Sequence, residues 1–157
     1  MALVAPVFLD TTVLLGGYID FGDSSVPAQR ILDAAAEGII SDVRTAWHCC
    51  LEFYAVSTRL PVGYRLAPQQ SYAILKDMIS LIHVEQLPLD RTLSFLETTA
   101  EERAVGGRIY DAHIAEIARL SEAGTVITDN RRHFANLMKY GVRVLRPAEF
   151  VTTDLTN

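Results

Sequence analysis

The chain has 157 residues, of which half are hydrophobic and 21% are charged, and these proportions exclude a disordered protein and fit one domain. Its net charge of −5 excludes a protein that is basic over its whole surface, although a local basic rim remains compatible with it. No apolar run is long enough for a membrane-spanning helix, and the apolar N-terminus lacks the basic segment of a signal peptide.

Short apolar runs alternate along the chain with segments of helical periodicity. In chain order the patterns predict a strand at 7–10, helices at about 11–17 and 27–37, a strand at 39–41, helices at 43–60 and 68–82, a weak strand at 83–85, helices at 90–103 and 109–123, a strand at 125–129, a short helix at 132–138 and a last strand at 142–145. This alternation predicts an α/β fold, a three-layer α/β/α sandwich around a mostly parallel sheet.

Two of the predicted strands end in an aspartate, Asp10 and Asp129. For either residue alone, the ordinary explanation is that its side chain caps the next helix. Parallel strands, however, bring their carboxyl ends to one edge of the sheet, which is where ligands bind in such folds. We therefore expect the two carboxylates to lie at the same edge.

Two further acids lie on predicted helices. Asp111 is in the first turn of its helix and shares a face with the apolar residues three, four and seven positions later, although an acid there also complements the helix dipole. Glu52 lies in a helix that is otherwise nearly all apolar, so its charge needs a partner. That partner is either an arginine, such as Arg44 or Arg108, or a metal ion.

Apolar residues at helical spacing give the predicted helix 43–60 an inward face. The residues of that face are Val43, Ala46, Trp47, Cys50, Leu51, Tyr54 and Ala55. The two cysteines, Cys49 and Cys50, are adjacent and lack the spacing of a metal-binding or redox motif, so we expect them to pack in the core. A cytoplasmic location is the default expectation for such a chain.

Four converging carboxylates would repel one another, and a cation would keep them ionised at neutral pH. Oxygen ligands favour Mg²⁺ or Mn²⁺, and the sequence has no set of His and Cys residues at the spacing of a zinc site. Such an ion lowers the pKa of a bound water and offsets charge on a phosphodiester. The pattern therefore indicates hydrolysis at phosphorus without a covalent enzyme intermediate.

Four segments resemble the motif blocks of PIN-domain proteins, in order and spacing, over nearly the whole chain. They are FLDTTVLL (8–15), LEFYAVSTR (51–59), GGRIYDAHIAEIA (106–118) and VITDNRRHF (126–134). The branch that they resemble most is the VapC-type toxins of toxin–antitoxin pairs. The resemblance implies a single PIN-like domain over residues 1–157. It also implies that the catalytic, metal-binding acids are Asp10, Glu52, Asp111 and Asp129.

The resemblance further implies an endoribonuclease that uses Mg²⁺ or Mn²⁺, forms a homodimer and is inhibited by a small antitoxin protein. Hydroxyl groups beside the acids often assist in this family, which makes Thr11, Thr12 and Thr128 secondary candidates. The arginines that flank the acids are candidates for contacts with RNA phosphates, although solvated helix ends explain them equally: Arg108, Arg131 and Arg132.

Several ring side chains lie near the motifs and receive no catalytic assignment. We expect the histidines there to be structural: His48, His113 and His133. Stacking on unpaired bases is open to three aromatic residues near helix ends, but cover for the core or packing in a dimer is the simpler interpretation: Tyr18, Phe21 and Tyr64.

Two alternative functions remain compatible with the sequence. A phosphatase of the haloacid-dehalogenase type would use Asp10 as a nucleophile, but it needs a second Asp where Thr12 stands. It also needs a Lys near the site, and neither Lys76 nor Lys139 directly follows a predicted strand. The other alternative is a non-catalytic PIN-fold module for binding or assembly, in which the acids hold a cation or arginine partners.

Overall fold

The computed structural model describes residues 4–156, in which short strands alternate with helices as the sequence predicts. The elements in chain order are β1 (Val7–Leu9), α1 (Thr11–Tyr18), a 3₁₀ turn (Asp23–Ser25), α2 (Val26–Ala36), β2 (Val43–Ala46), α3 (Trp47–Ser57), α4 (Pro68–Leu81), β3 (His83–Glu85), a 3₁₀ turn (Leu89–Arg91), α5 (Thr92–Glu101), α6 (Arg108–Leu120), β4 (Thr125–Ile127), α7 (Arg131–Phe134), a 3₁₀ segment (Ala135–Tyr140), β5 (Arg143–Leu145) and α8 (Pro147–Asp154). Within residues 4–156, no helix is both long and apolar enough to cross a membrane.

The strands form one parallel sheet in the order β3-β2-β1-β4-β5. The connections from β1 through β2 to β3 run toward one edge, and those from β3 through β4 to β5 run toward the other. Right-handed crossovers therefore place α1 to α4 on one face and α5 to α7 on the opposite face. This arrangement confirms the predicted three-layer α/β/α sandwich.

The central strands are buried on both faces, which explains why they are apolar without alternation. Phe8, Leu9, Val126 and Ile127 are all fully buried in the core. Burying a side chain of this size contributes about 1.5–3 kcal/mol to folding. The middle of the sheet is thus a rigid base for the residues that follow β1 and β4.

The second strand lies later in the chain than the sequence predicts. Residues 39–41 are not a strand: the N–H groups of Ile39 and Ile40 donate to the Ala34 carbonyl and complete the end of α2, where Gly38 has a φ of +74°. An apolar residue after such a left-handed glycine commonly packs back on its helix, and Ile40 packs against the core in this way. The true strand is Val43–Ala46, so the prediction of a helix from residue 43 was wrong.

The helix α8 was not predicted, because Pro147 was interpreted only as the end of the last strand. Proline is favoured in the first turn of a helix, where its missing N–H has no intrahelical acceptor. Phe150 and Val151 of α8 are buried in the core, and the helix packs beside α2. It therefore adds to the core rather than to the edge that carries the acids.

The contact between α1 and α2 depends on a glycine, which gives a test of the packing. A Cβ atom at Gly17 would lie 2.2 Å from Cδ1 and 2.9 Å from Cγ of Leu32, whereas one at Gly16 would be 3.4 Å from the Ala28 Cβ. We expect Gly17→Ala to lower the free energy of unfolding by about 1–3 kcal/mol. Gly16→Ala, the matched control, should leave it within about 1 kcal/mol of wild type. Chemical denaturation measures both, and equal values would contradict the packing.

Candidate functional site

Asp10 is the buried centre of the candidate site. The register pairs Leu9 with Ile127, so the residues just beyond the two strands, Asp10 and Thr128, are neighbours. The Thr128 hydroxyl donates to Asp10 Oδ2 at 2.7 Å, and the Thr12 hydroxyl donates to the same oxygen at 3.4 Å. The side chain of Asp10 is therefore held in one orientation at the carboxyl edge of the sheet, in agreement with the expected place for a ligand.

Burial determines the acidity of Asp10, which is only 4% exposed. Desolvation raises its pKa to about 6 from an ordinary 3.8, although the hydrogen bonds from the Thr128 hydroxyl and the Thr11 backbone oppose the rise. The negative charges of Glu52 and Asp111 also raise this pKa. A cation would relieve both effects, because it favours the ionised form.

Glu52 faces the site from α3, but that helix is less buried than the sequence predicts. Its buried residues are Cys49, Cys50, Phe53 and Ser57. Trp47, Leu51 and Tyr54, which were predicted to face inward, are 41%, 54% and 41% exposed. The helix begins four residues later than expected, and its inward face is therefore a different one.

The side chain of Glu52 is half-buried, and its partner is a histidine rather than an arginine. Glu52 Oε1 lies 3.0 Å from Nε2 of His48, one helical turn earlier. Arg44 is instead paired with Asp42 and Glu85, both at 2.9 Å. The alternative of a pair between Glu52 and Arg44 was therefore wrong.

Asp111 and Asp129 complete the edge, and they differ in their contacts. Asp111 Oδ2 lies 3.3 Å from Nδ1 of His133. The N–H of Asp129 donates to the Thr12 hydroxyl at 3.1 Å, so its backbone adjoins the Asp10 cluster. Burial raises the pKa of the Asp129 carboxyl, and the charge of Arg146 opposes this rise.

The donor set of the four acids fits Mg²⁺ or Mn²⁺, because all the side-chain ligands would be oxygen atoms. The buried and repelled carboxyl of Asp10 is the structural observation in favour of a cation. As they stand, however, no three His, Cys, Asp or Glu side chains within residues 4–156 are grouped to hold one ion. In this structure Glu52 lies against His48 and Asp111 lies against His133 instead.

The secondary candidates have different surroundings. Thr11 is buried, and its hydroxyl has no hydrogen-bond partner within the described part of the chain. The hydroxyls of Thr12 and Thr128 both support Asp10. Arg108, Arg131 and Arg132 are all exposed. Arg131 also forms an ion pair with Glu149 at 3.0 Å.

The three aromatic residues near the motifs make contacts with other rings, and the two cysteines are buried. Tyr18 packs edge-on against Phe53, and the rings of Phe21 and Tyr64 pack against each other with centroids 5.2 Å apart. Tyr18 packs against the core, as the simpler interpretation had it, whereas Phe21 and Tyr64 contact each other. The two cysteines are buried, and burial raises the pKa of both thiols, to about 12 for Cys49 and about 11 for Cys50.

The sequence did not reveal a histidine pair between α3 and α6. Nδ1 of His48 lies 2.7 Å from Nδ1 of His113. The only sequence cue is position, since His48 precedes Glu52 by four residues and His113 follows Asp111 by two. Neither spacing predicts that residues 65 positions apart meet.

The support that Thr128 gives to Asp10 can be tested by removing its hydroxyl. Residues that orient a metal ligand typically change metal affinity about 10- to 100-fold when they are replaced. We expect Thr128→Val to weaken Mg²⁺ binding by this factor, as measured by isothermal titration calorimetry. Thr128→Ser keeps the donor and should restore most of the affinity, so a serine variant as weak as the valine variant would argue against this role.

No protein-family model matches the chain. The chain is 30% identical to Ribonuclease VapC40 of Mycobacterium tuberculosis over 131 residues, which cover 82% of this chain and 88% of that protein.

Two solved structures share its fold. Superposition on VapBC-1 from nontypeable Haemophilus influenzae gives a TM-score of 0.60 at 15% identity and covers 91% of this chain and 98% of that one. VapBC2 from Rickettsia felis, bound to a DNA fragment from its promoter, gives 0.58 at 16% identity and covers 88% and 96%.

Proposed function

The chain belongs to the VapC family of PIN-domain ribonucleases, and on that premise we propose that it is an endoribonuclease that hydrolyses RNA phosphodiester bonds with Mg²⁺ or Mn²⁺. The observation that carries the proposal is Asp10, a buried carboxylate at the carboxyl edge of the sheet. The charges of Glu52 and Asp111 act on it from the two helices beside that edge. A cation would favour the ionised form of such a cluster.

Each part of the site has a role in this proposal. Asp10, Glu52, Asp111 and Asp129 would hold the ion, and Thr12 and Thr128 orient the Asp10 carboxylate. The ion, when bound, supplies an activated water and offsets charge on the phosphodiester. The exposed arginines Arg108 and Arg132 lie beside the acids in the sequence and are the candidates for phosphate contacts.

We also propose that the chain is the toxin of a toxin–antitoxin pair, with a small antitoxin protein as its partner and a homodimer as its assembly. The likeness to VapC40 and to the VapBC structures supports the antitoxin. Exposed apolar side chains, among them Leu89, Leu93 and Tyr72 at 88%, 79% and 59%, support binding to other protein surfaces. Analytical ultracentrifugation of the purified chain measures the assembly, and a monomer at micromolar concentration would exclude the stable homodimer.

A non-catalytic PIN-fold module is the second candidate function. The observation that favours it is that Glu52 and Asp111 are paired with histidines, so that the acids are not grouped around one ion. This candidate predicts that the protein binds RNA or its partner without cutting RNA under any metal condition.

Cleavage assays on the purified chain, freed of antitoxin, separate the two candidates. We expect single-stranded RNA to be cut internally with Mg²⁺ or Mn²⁺, the activity to disappear with a chelator and to return when the metal is added back. A chromogenic phosphate monoester, the substrate of the phosphatase alternative, should remain intact. RNA that stays intact with both metals would favour the non-catalytic module.

Metal binding should also raise the thermal stability of the protein. A cation that binds only the folded state, at a hundred times its Kd, contributes about 2.7 kcal/mol, or roughly 5–10 °C in Tm for a chain of this size. We expect Mg²⁺ to raise the Tm of wild type by this amount and that of Asp111→Asn by much less. Without metal, Asp111→Asn should equal or exceed wild type, because one repulsive charge is gone. A large loss of metal-free stability in this variant would indicate a structural role for Asp111.

A further inference from the structure

A cleft of about 480 Å³ opens between α3 and α6, next to the acids. Trp47, Leu51 and Glu52 of α3 form one side, and Tyr110 and His113 of α6 form the other. Glu52 belongs both to this wall and to the acid cluster, and Tyr110 directly precedes Asp111. The cleft and the candidate metal site are therefore one continuous surface.

The walls of the cleft expose aromatic rings that the core does not use. The side chains of Trp47 and Tyr110 are 41% and 61% exposed, and the ring of Tyr110 packs edge-on against His48 with centroids 5.8 Å apart. Large exposed aromatic residues that meet in a concave surface are typical of binding sites. Flat rings on both walls suit a flat ligand.

The histidine pair gives this apolar cleft a polar wall. Nε2 of His48 lies 3.0 Å from Oε1 of Glu52. Nδ1 of His48 lies 2.7 Å from Nδ1 of His113, and one of these two nitrogen atoms donates a hydrogen bond to the other. The ring of His113 is fixed in turn by Phe95, whose centroid lies 5.5 Å away.

We propose that this cleft binds an unpaired nucleobase of the RNA, from the nucleotide next to the scissile phosphate, by stacking on Tyr110 and Trp47. The proposal rests on the proposed function and names a subsite of the same active site. Proteins that bind single-stranded RNA commonly stack splayed bases on aromatic side chains and hydrogen-bond to their edges. Here the rings supply the faces, and Gln86, Thr92 and the histidine pair supply polar groups for an edge.

The charges around the cleft favour a base over other parts of the RNA. Among the described residues that line it, none is Lys or Arg, and Glu52 adds a negative charge at its margin. A phosphate would be repelled there, whereas a neutral base would not. The phosphate would instead lie at the acid cluster with its cation, which places the base of an adjoining nucleotide in the cleft.

The first experiment compares cleavage of intact and abasic RNA by wild type and by Tyr110 variants. The bond that wild type cuts is mapped in a single-stranded oligoribonucleotide, and abasic residues are then placed one at a time on each side of it. We expect one abasic position to lower kcat/KM by about 10-fold or more. Tyr110→Leu should lower kcat/KM for the intact oligonucleotide by a similar factor but leave the abasic one unchanged. Tyr110→Phe, which keeps the ring, should behave as wild type.

The second experiment uses Trp47, which is the only tryptophan in the chain. In the inactive Asp10→Asn variant, binding of a short oligoribonucleotide should quench tryptophan fluorescence, and the matching oligonucleotide with the abasic position should quench it far less. Equal quenching by both would overturn the proposal. The proposal would also be overturned if Tyr110→Leu cut intact RNA as fast as wild type but bound the antitoxin more weakly. That result would mean that the cleft is a protein-binding surface. Failure of wild type to cut any RNA would instead count against the proposed function itself.

Discussion

Asp10→Asn is expected to lower kcat/KM for RNA cleavage by about 100- to 1,000-fold, the loss typical of removing a group that stabilises developing charge. The amide has nearly the same shape as the carboxylate but no charge for the cation. Asp10 is also the only one of the four acids that is almost completely buried. The loss should appear in both Mg²⁺ and Mn²⁺, as measured by gel-based cleavage of a labelled oligoribonucleotide.

Asp33→Asn is the matched control, because it makes the same chemical change on an exposed position of α2. It should retain the activity of wild type. Both variants should keep the far-UV circular dichroism of the folded protein. If Asp10→Asn cuts RNA as fast as wild type, the cleavage does not arise from this site, and a contaminating nuclease becomes the explanation.

Asp10→Asn is also expected to stabilise the metal-free protein at neutral pH. In the unfolded chain Asp10 has the ordinary pKa of 3.8, whereas in the folded protein its pKa is about 6. Between these values the folded state binds more protons than the unfolded state. Raising the pH through this interval therefore lowers the free energy of unfolding of wild type, by about 3 kcal/mol for a shift of this size.

Asn at position 10 has no proton to lose, so the variant does not share this decrease. We expect the Tm of Asp10→Asn minus that of wild type, measured with a chelator, to grow by roughly 6–12 °C between pH 4 and pH 7.5. The lowered pKa values of Asp42 and Asp154, caused by Arg44 and Arg143, affect both proteins alike and cancel in the difference. A difference that is constant with pH would mean that Asp10 is not desolvated in the folded protein.

The site shows which kinds of residue can be located from a sequence. Asp10 and Asp129 were found because each lies at the end of a predicted strand, and strand ends are set by the local run of apolar residues. In the structure Asp10 directly follows β1, whereas Thr128 separates Asp129 from β4. Glu52 was chosen for a reason that proved wrong, since α3 is half exposed and the charge needs no buried partner. The parallel pairing of β1 with β2 brings the start of α3 to the same edge of the sheet as Asp10.

The amino-acid order by itself determined the alternating α/β class, the parallel sheet and the edge at which Asp10 lies, because these depend on periodicity and strand ends within short stretches. It misplaced the strand Val43–Ala46, since four residues carry too little pattern to separate a strand from the helix that follows. Only the tertiary structure decided that Glu52 and Asp111 turn toward His48 and His133, and that α3 and α6 leave a cleft between them. Those contacts join residues far apart in the chain, and their geometry depends on how the helices cross rather than on any local propensity.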